Sequence, residues 1–337
     1  MRVGRIAARL PPRSRTDRLA HNVNSPAATG PTRIAFIVGP TGAGKTALAM
    51  ELAERLGAEI VNADSRQVYR LMDIGTAKPS EVERRRVPHH LIDIRSPDEP
   101  LDVATFARLA REAIDEIVAR GRRVLVVGGS GLYLRALRGG IFRGPAASPE
   151  IRARLAQVAA EHGVPHLHER LRAVDPAAAR RIGVNDLYRI TRALEVFELT
   201  GEPISAHQQR HAFSNREYQS LTLGISLERA ELYQAIDRRF DEMLASGFVE
   251  EVRRLKASGY RFDRPPLASI GYQQIAAHLD GQMTLAEAAE IAKRESRRLA
   301  KRQLTWFRAD TEIVWLDRKA AAKQAWKLLD DFFAGAQ

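Results

Sequence analysis

The sequence predicts an α/β fold: a P-loop NTPase-like parallel sheet flanked by helices and interrupted by an all-helical insertion domain. Three observations predict it. Gly39-Pro40-Thr41-Gly42-Ala43-Gly44-Lys45-Thr46 has the spacing of a phosphate loop, short apolar runs alternate with helical patterns on either side of it, and residues 144–201 carry helical patterns only. The β-branched run Ile34-Ala35-Phe36-Ile37-Val38 leads into the loop, and an amphipathic helix starting at Lys45 and ending near Gly57 leads out. Glycines let backbone N–H groups turn inward, and a helix N-terminus adds partial positive charge, so the loop is expected to hold an oligophosphate. Lys45 would reach the terminal phosphates and the Thr46 hydroxyl would bind Mg²⁺.

The chain has 337 residues, of which 45% are hydrophobic, enough for a full core and for about two domains. No apolar run is long enough to span a bilayer, and a chain without cysteine has no disulfide, thiol nucleophile or cysteine-bound zinc. A formal charge of +12 favours a polyanionic partner, nucleic acid first, over a merely basic solvated surface. Residues 1–32 are arginine-rich and aperiodic, and read as a disordered basic extension or a misassigned start, with an organelle transit peptide as the alternative.

Beyond the first helix, residues 58–62 read as a second parallel strand that delivers Asp64-Ser65-Arg66-Gln67 to the rim where the phosphate loop lies. Asp64 is a site candidate there, and a turn or N-cap aspartate is the alternative. His89 and His90, adjacent on an extended chain, point to opposite faces and suit packing better than a metal. Phe106, Leu109, Ala110, Ala113, Ile114 and Ile117 mark a helix ended by Gly121. The buried-looking strand Val124-Leu125-Val126-Val127 finishes not in the Mg²⁺-binding aspartate of a standard P-loop ATPase but in Gly128-Gly129-Ser130-Gly131. That departure argues against ATP hydrolysis and for a loop of close backbone approach to substrate.

In the insertion, Ser148-Pro149 opens a helix ending at Gly163, Asp175-Pro176 a second ending at Gly183, and Asp186 a third through Leu199. Leu187, Ile190, Leu194 and Phe197 form the apolar stripe of the third, while Arg189 and Arg192 on another face grip phosphates or are simply solvated. His162, His166 and His168 lack the carboxylates of a metal site. The core resumes with a strand at 221–225 and a helix over 230–247. On that helix Arg239 flanks the buried stripe, and it wants either a bound anion or an internal salt bridge. Thr284 and Glu287 open a long helix whose Arg294, Arg297, Arg298, Lys301 and Arg302 fall on one face with only Glu295 nearby, more than solvation alone needs. A strand at 313–316 and a C-terminal helix close the chain.

Several runs taken together, among them Asn62-Ala63-Asp64-Ser65-Arg66-Gln67-Val68-Tyr69, Met72-Asp73-Ile74-Gly75-Thr76-Ala77-Lys78-Pro79, Pro88-His89-His90-Leu91-Ile92-Asp93 and Ala300-Lys301-Arg302-Gln303-Leu304-Thr305-Trp306-Phe307-Arg308, resemble the bacterial tRNA dimethylallyltransferases, or tRNA isopentenyltransferases, from residue 33 onward. The resemblance implies transfer of a dimethylallyl group from dimethylallyl diphosphate to the exocyclic N6 amine of the adenosine 3′ to the anticodon, in tRNAs reading codons that begin with U. It implies a P-loop core over 33–143 and 217–337, with a helical domain over 144–216 that grips the anticodon stem-loop.

Gly39, Pro40, Thr41, Gly42, Ala43, Gly44, Lys45 and Thr46 would hold the diphosphate. Asp64, Ser65, Arg66, Gln67, Ser130, Arg152, Tyr188, Arg189, Ile190, Thr191, Arg192, Gly271, Tyr272, Gln273, Lys301, Arg302, Gln303 and Arg308 would line the tRNA side. Asp64 suits a general base, and Thr41 and Arg239 suit the leaving-group clamp with Lys45 and Mg²⁺. Ser130 stands where the family usually has threonine, and no cysteine finger follows the core. A cytoplasmic monomer that binds no membrane is expected. The runner-up is a P-loop kinase of a nucleotide or small metabolite, and a non-catalytic RNA-binding ATPase module comes third.

Overall fold

Ile34 to Val38 are at most 1% exposed, as expected of a strand covered on both faces, and they form the middle of a six-stranded parallel sheet. The strands are β1 (Arg33–Val38), β2 (Ala58–Asn62), β3 (His89–His90), β4 (Arg123–Gly128), β5 (Gln219–Ser226) and β6 (Ile313–Asp317), in the order β3-β2-β4-β1-β5-β6. The structure is a computed structural model describing residues 31–140, 144–211 and 217–335, so the expected basic extension lies almost entirely outside the described residues. Pairing of Val38 with both Gly128 and Gly224 brings the carboxyl ends of β4, β1 and β5 to one rim. The chain leaves β1 toward β2 on one side and later returns to β5 on the other. The loop after β1 therefore opens at the switch point where open parallel sheets bind ligands.

Parallel strands need crossovers, which the helices supply. In chain order these are α1 (Lys45–Leu56), α2 (Glu81–Arg86), α3 (Val103–Ala119), α4 (Gly131–Gly139), α5 (Pro149–His162), α6 (Val164–Val174), α7 (Pro176–Arg181), α8 (Leu187–Thr200), α9 (Ile204–His211), α10 (Arg229–Ala245), α11 (Phe248–Ala257), α12 (Tyr272–Leu279), α13 (Leu285–Arg308) and α14 (Ala321–Ala334). One face of the sheet packs on α1 and α14 through Leu52, Leu125, Leu223 and Leu329. The other packs on α3, α4 and α11 to α13 through Phe36, Phe106, Ile114, Leu137, Phe248 and Tyr272. None of the described helices is long and apolar enough to cross a membrane.

Helices α5 to α9 lie between β4 and β5 and carry a core of their own, including Leu155, Leu167, Leu171, Ile190 and Leu194. Two features here differ from the sequence reading. Gly163 ends α5, but Pro165 in the first turn of the next segment starts α6, a helix the cap signals alone did not reveal. Leu187 is 37% exposed because it sits in the first turn of α8, so the buried stripe runs through Ile190, Ala193 and Leu194. The Gly-rich segment after β4, expected as a loop of close backbone approach, turns into helix at its end, where α4 begins at Gly131.

Candidate active site

The phosphate loop owes its shape to packing as well as to its glycines. Gly42 has φ +80°, and a β-carbon there would lie 2.8 Å from Cγ1 of Ile236 on α10, so both the turn and its neighbour exclude a side chain. Within the loop the Lys45 ammonium donates to the carbonyls of Gly39 (3.0 Å) and Pro40 (2.8 Å). Burial lowers its pKa to about 8, with Asp64 opposing the shift and Arg239 adding to it.

Among the described residues, Arg239 lacks the internal salt bridge that was one of its two expected partners. Its guanidinium donates to the Thr41 hydroxyl (3.3 Å) and the Thr76 carbonyl (3.2 Å), its Nε has no partner, and no carboxylate pairs with it among the described residues. Burial holds its pKa below the usual arginine value, which Asp64 and Glu242 partly offset. Two half-buried cations thus meet at one loop, and neither has an ion pair among the described residues.

Asp64 stands on the same rim, partly exposed. Its Oδ1 accepts the Arg66 N–H (2.8 Å), and its own N–H donates to Asn62 Oδ1 (3.1 Å), so the aspartate is both a turn former and a free carboxylate edge. Ser130 accepts the Ser65 N–H on its hydroxyl (3.0 Å), tying this loop to the end of β4. Gln67 is buried and donates to the carbonyls of Thr76 (3.2 Å) and Ala77 (3.1 Å), which places it in the wall of the cleft. Thr41, Lys45, Thr46, Asp64, Gln67, Arg239 and Gln303 line a single cleft of about 520 Å³.

The turn that presents the Thr76 carbonyl is held from behind. Glu251 on α11 is 2% exposed and accepts the N–H groups of Asp73 (3.0 Å), Ile74 (2.7 Å) and Gly75 (3.2 Å) together with the Tyr272 hydroxyl (2.7 Å). Tyr272, expected on the tRNA side, is 1% exposed and belongs to this clamp. Burial, with Glu251 beside it, pushes its phenol well above the ordinary pKa, so it stays a donor. Tyr272→Phe is therefore expected to leave a buried carboxylate short of one donor and to lower unfolding free energy by about 1–3 kcal/mol in urea titration. A wild-type midpoint would show that the hydroxyl does not contribute.

A second cleft, of about 660 Å³, opens between α4, α8 and α13 and is lined by Arg135, Arg189, Arg298, Lys301, Arg302 and Trp306. Arg135 stacks on Trp306 with 4.4 Å from guanidinium to ring centroid. The basic stripe read from the sequence is thus divided. Arg297 turns to α10 and donates to both carboxylate oxygens of Asp237 (2.6 and 2.8 Å), Arg298 donates to Glu295 (2.6 Å), and Lys301 and Arg302 remain exposed at the cleft.

In the insertion, Tyr188 is 75% exposed and Arg189 faces the same cleft, 3.4 Å from Asp186. Thr191 is partly exposed behind them. Ile190 is fully buried in the insertion's core, so it shapes the helix and cannot touch a partner. Arg152 and Arg192 converge on Glu195, which is 0% exposed. Burial works against the charge of that carboxylate, and the two guanidinium groups hold it below the ordinary range. Both arginines are thus committed in part to a buried carboxylate. Gly271 is buried, its N–H capped by Gln274, while Gln273 and Arg308 are exposed. Gln303 does not face the basic cleft: its amide is turned onto the phosphate loop.

Sequence reading missed Glu251 and Arg318. Arg318 follows β6, and its Nε would lie 3.8 Å from a β-carbon on Gly44, at the N-terminus of α1. A cation just past the carboxyl end of a parallel strand was the available signal. Glu251 also left one: with Phe248, Val252 and Leu255 it completes a stripe at steps of three and four, so a carboxylate falls on the buried face of α11.

A parallel sheet with a phosphate loop at its switch point, two half-buried cations on that loop and a basic cleft alongside define the class, a P-loop enzyme. The profile of the family described as IPP transferase matches residues 67–310. The chain belongs to this family of prenyl-transferring enzymes. It is 53% identical over 286 residues to a tRNA dimethylallyltransferase of Geobacter metallireducens, covering 85% of this chain and 93% of that one. Its structure is similar to the crystal structure of the full-length tRNA isopentenylpyrophosphate transferase of Bacillus halodurans, with TM-score 0.66 and 40% identity over 91% of this chain and 97% of the other. It is also similar to a eukaryotic dimethylallyltransferase studied crystallographically acting on tRNA, with TM-score 0.75 and 25% identity, covering 90% of this chain and 80% of that one. The kinase alternative is not favoured by any of these.

Proposed function

We propose that the protein transfers the dimethylallyl group of dimethylallyl diphosphate to the N6 amine of the adenosine 3′ to the anticodon, in tRNAs reading codons that begin with U. The observation that carries this reading is the pair of half-buried cations, Lys45 and Arg239, facing the phosphate loop with a free carboxylate edge of Asp64 on the same rim. An allylic C1–O bond breaks readily when the departing diphosphate is neutralised. Lys45, the loop N–H groups and Arg239 take up the charge as the bond's electron pair goes to the diphosphate. The adenine amine forms the new N6–C1 bond and loses a proton, for which Asp64 is the acceptor. The base is unreachable inside a stacked loop, so it is flipped into the cleft from an anticodon stem-loop held by the basic cleft of α8 and α13.

Mg²⁺ suits this donor set. Among the described residues no three carboxylates or histidines converge, so the protein offers mainly the Thr46 hydroxyl, and Mg²⁺ bound to phosphates keeps most of its waters. The ion would add positive charge on the leaving diphosphate. A monomer acting in the cytoplasm completes the proposal.

Incubation with labelled dimethylallyl diphosphate, ATP and undermodified tRNA tests it: label is expected in the tRNA. A phosphorylated product, or phosphate from ATP with no labelled tRNA, would overturn it.

The lowered pKa of Lys45 gives a pH signature. Below about pH 8 the free protein already carries the Lys45 proton, whereas above it the proton is lost in the free protein and restored by the bound anion. Binding of dimethylallyl diphosphate is therefore expected to take up a proton above pH 8 and to weaken as pH rises further. Calorimetry in buffers of different ionisation enthalpy measures this, and proton-neutral binding at pH 9 would refute it.

A further inference from the structure

We propose that Gln303 is a positioning residue of the phosphate loop and not a contact to RNA; this rests on the prenyl-transfer reading above. Gln303 follows Lys301 and Arg302 on α13, but its side chain turns away from the basic cleft. Its Oε1 accepts the Thr41 N–H (2.9 Å), and its Nε2 donates to the Gly129 carbonyl (3.0 Å). A backbone N–H only donates and a carbonyl only accepts, so the amide has one allowed orientation. A neutral amide of this length satisfies both ends where a carboxylate satisfies one.

This one side chain ties together the loops that follow β1 and β4, neighbouring strands whose ends frame the cleft. The fit is close: a β-carbon on Gly129 would lie 2.6 Å from Gln303 Nε2. The glycine that follows β4 is accordingly explained by the approach of α13, where the sequence had suggested the approach of substrate.

Two consequences follow for the reaction. The Thr41 N–H is occupied by Gln303, so it is not among the amides that cradle phosphate. The Thr41 hydroxyl accepts from Arg239 at 3.3 Å, so fixing residue 41 also fixes one of the two anchors of the leaving-group arginine. The same stretch of α13 carries Lys301, Arg302 and Thr305 into the basic cleft. A single rigid helix therefore bears both the RNA-facing cations and the brace of the diphosphate loop.

The test uses Gln303→Ala and Gln303→Glu in the full chain, with Lys301→Ala as the contrasting variant and melting curves to verify folding. Gln303→Glu keeps the acceptor for Thr41 but sets an oxygen against the Gly129 carbonyl, so it remains informative where the alanine variant fails to fold. Both Gln303 variants are expected to lower kcat/KM for dimethylallyl diphosphate about a hundredfold, the scale of a small misplacement of reacting groups. Both should leave the tRNA Kd, measured by fluorescence anisotropy, at the wild-type value. Lys301→Ala should show the reverse pattern, with weakened tRNA binding and an unchanged KM for the diphosphate. A folded Gln303 variant with weakened tRNA binding and a normal KM for dimethylallyl diphosphate would make Gln303 an RNA contact and overturn the proposal. So would variants indistinguishable from wild type. Failure of the wild-type protein itself to bind dimethylallyl diphosphate would instead overturn the prenyl-transfer reading.

Discussion

Asp64→Asn is expected to abolish prenyl transfer, lowering the single-turnover rate by about a hundred- to ten-thousandfold, while tRNA still binds. Asparagine keeps an oxygen where Asp64 Oδ1 accepts the Arg66 N–H, so the turn over residues 64–66 survives and only the proton acceptor is lost. The need for a base is chemical. The adenine amine lends its lone pair to the ring, and the cation formed as C1 bonds to nitrogen becomes neutral only by giving up a proton. Removing the carboxylate also removes the negative charge that opposes the lowering of the Lys45 pKa, so the proton uptake described for wild type should begin at lower pH in the variant. Quench-flow with labelled dimethylallyl diphosphate and anisotropy with labelled tRNA separate chemistry from binding. Normal single-turnover chemistry in Asp64→Asn, or loss of tRNA binding alone, would remove Asp64 from the reaction.

Arg239→Ala should cost about a hundred- to a thousandfold in rate at saturating dimethylallyl diphosphate, the usual consequence of losing one donor to developing negative charge. The surrounding turn should persist, because the Thr76 carbonyl that receives Arg239 also receives Gln67 Nε2, and Glu251 holds the preceding amides. Lysine is a poor substitute, since one ammonium does not reproduce a planar fork that bridges Thr41 and Thr76. A second readout comes free of the chemistry. Arg239 adds to the lowering of the Lys45 pKa, so its removal should move the onset of proton uptake to higher pH, opposite to Asp64→Asn. A variant with wild-type rates would mean that the loop and Lys45 suffice as the clamp.

The features legible in the sequence share a property: each is written in residues close together in the chain. Gly39 to Thr46 specify their own turn and the start of α1, and apolar runs mark β1 and β4 as buried strands. The caps at Ser148, Asp186 and Thr284 start helices where expected. Asp64 was placed near the loop by strand order alone.

What stayed hidden depends on partners far apart in the chain. Gln303 meets Thr41 across 262 positions, Glu251 meets Ile74 across 177, and Arg297 meets Asp237 across 60. Helical spacing puts Arg297 with Lys301 and Arg302 on one basic stripe, but the packing of α10 against α13 supplies a carboxylate to the first and, among the described residues, none to the others. Tyr272 and Ile190 sit in runs similar to the family's RNA-facing segments, yet burial gives them to the protein's interior.

The fold class and the phosphate loop were therefore readable from residue order, because backbone preference and helix or strand period act over a few residues. Which side chains line the cleft, and which brace the ones that do, follows from packing. That choice is made by hydrogen bonds and desolvation between distant segments, and it does not exist until the helices have packed on the sheet.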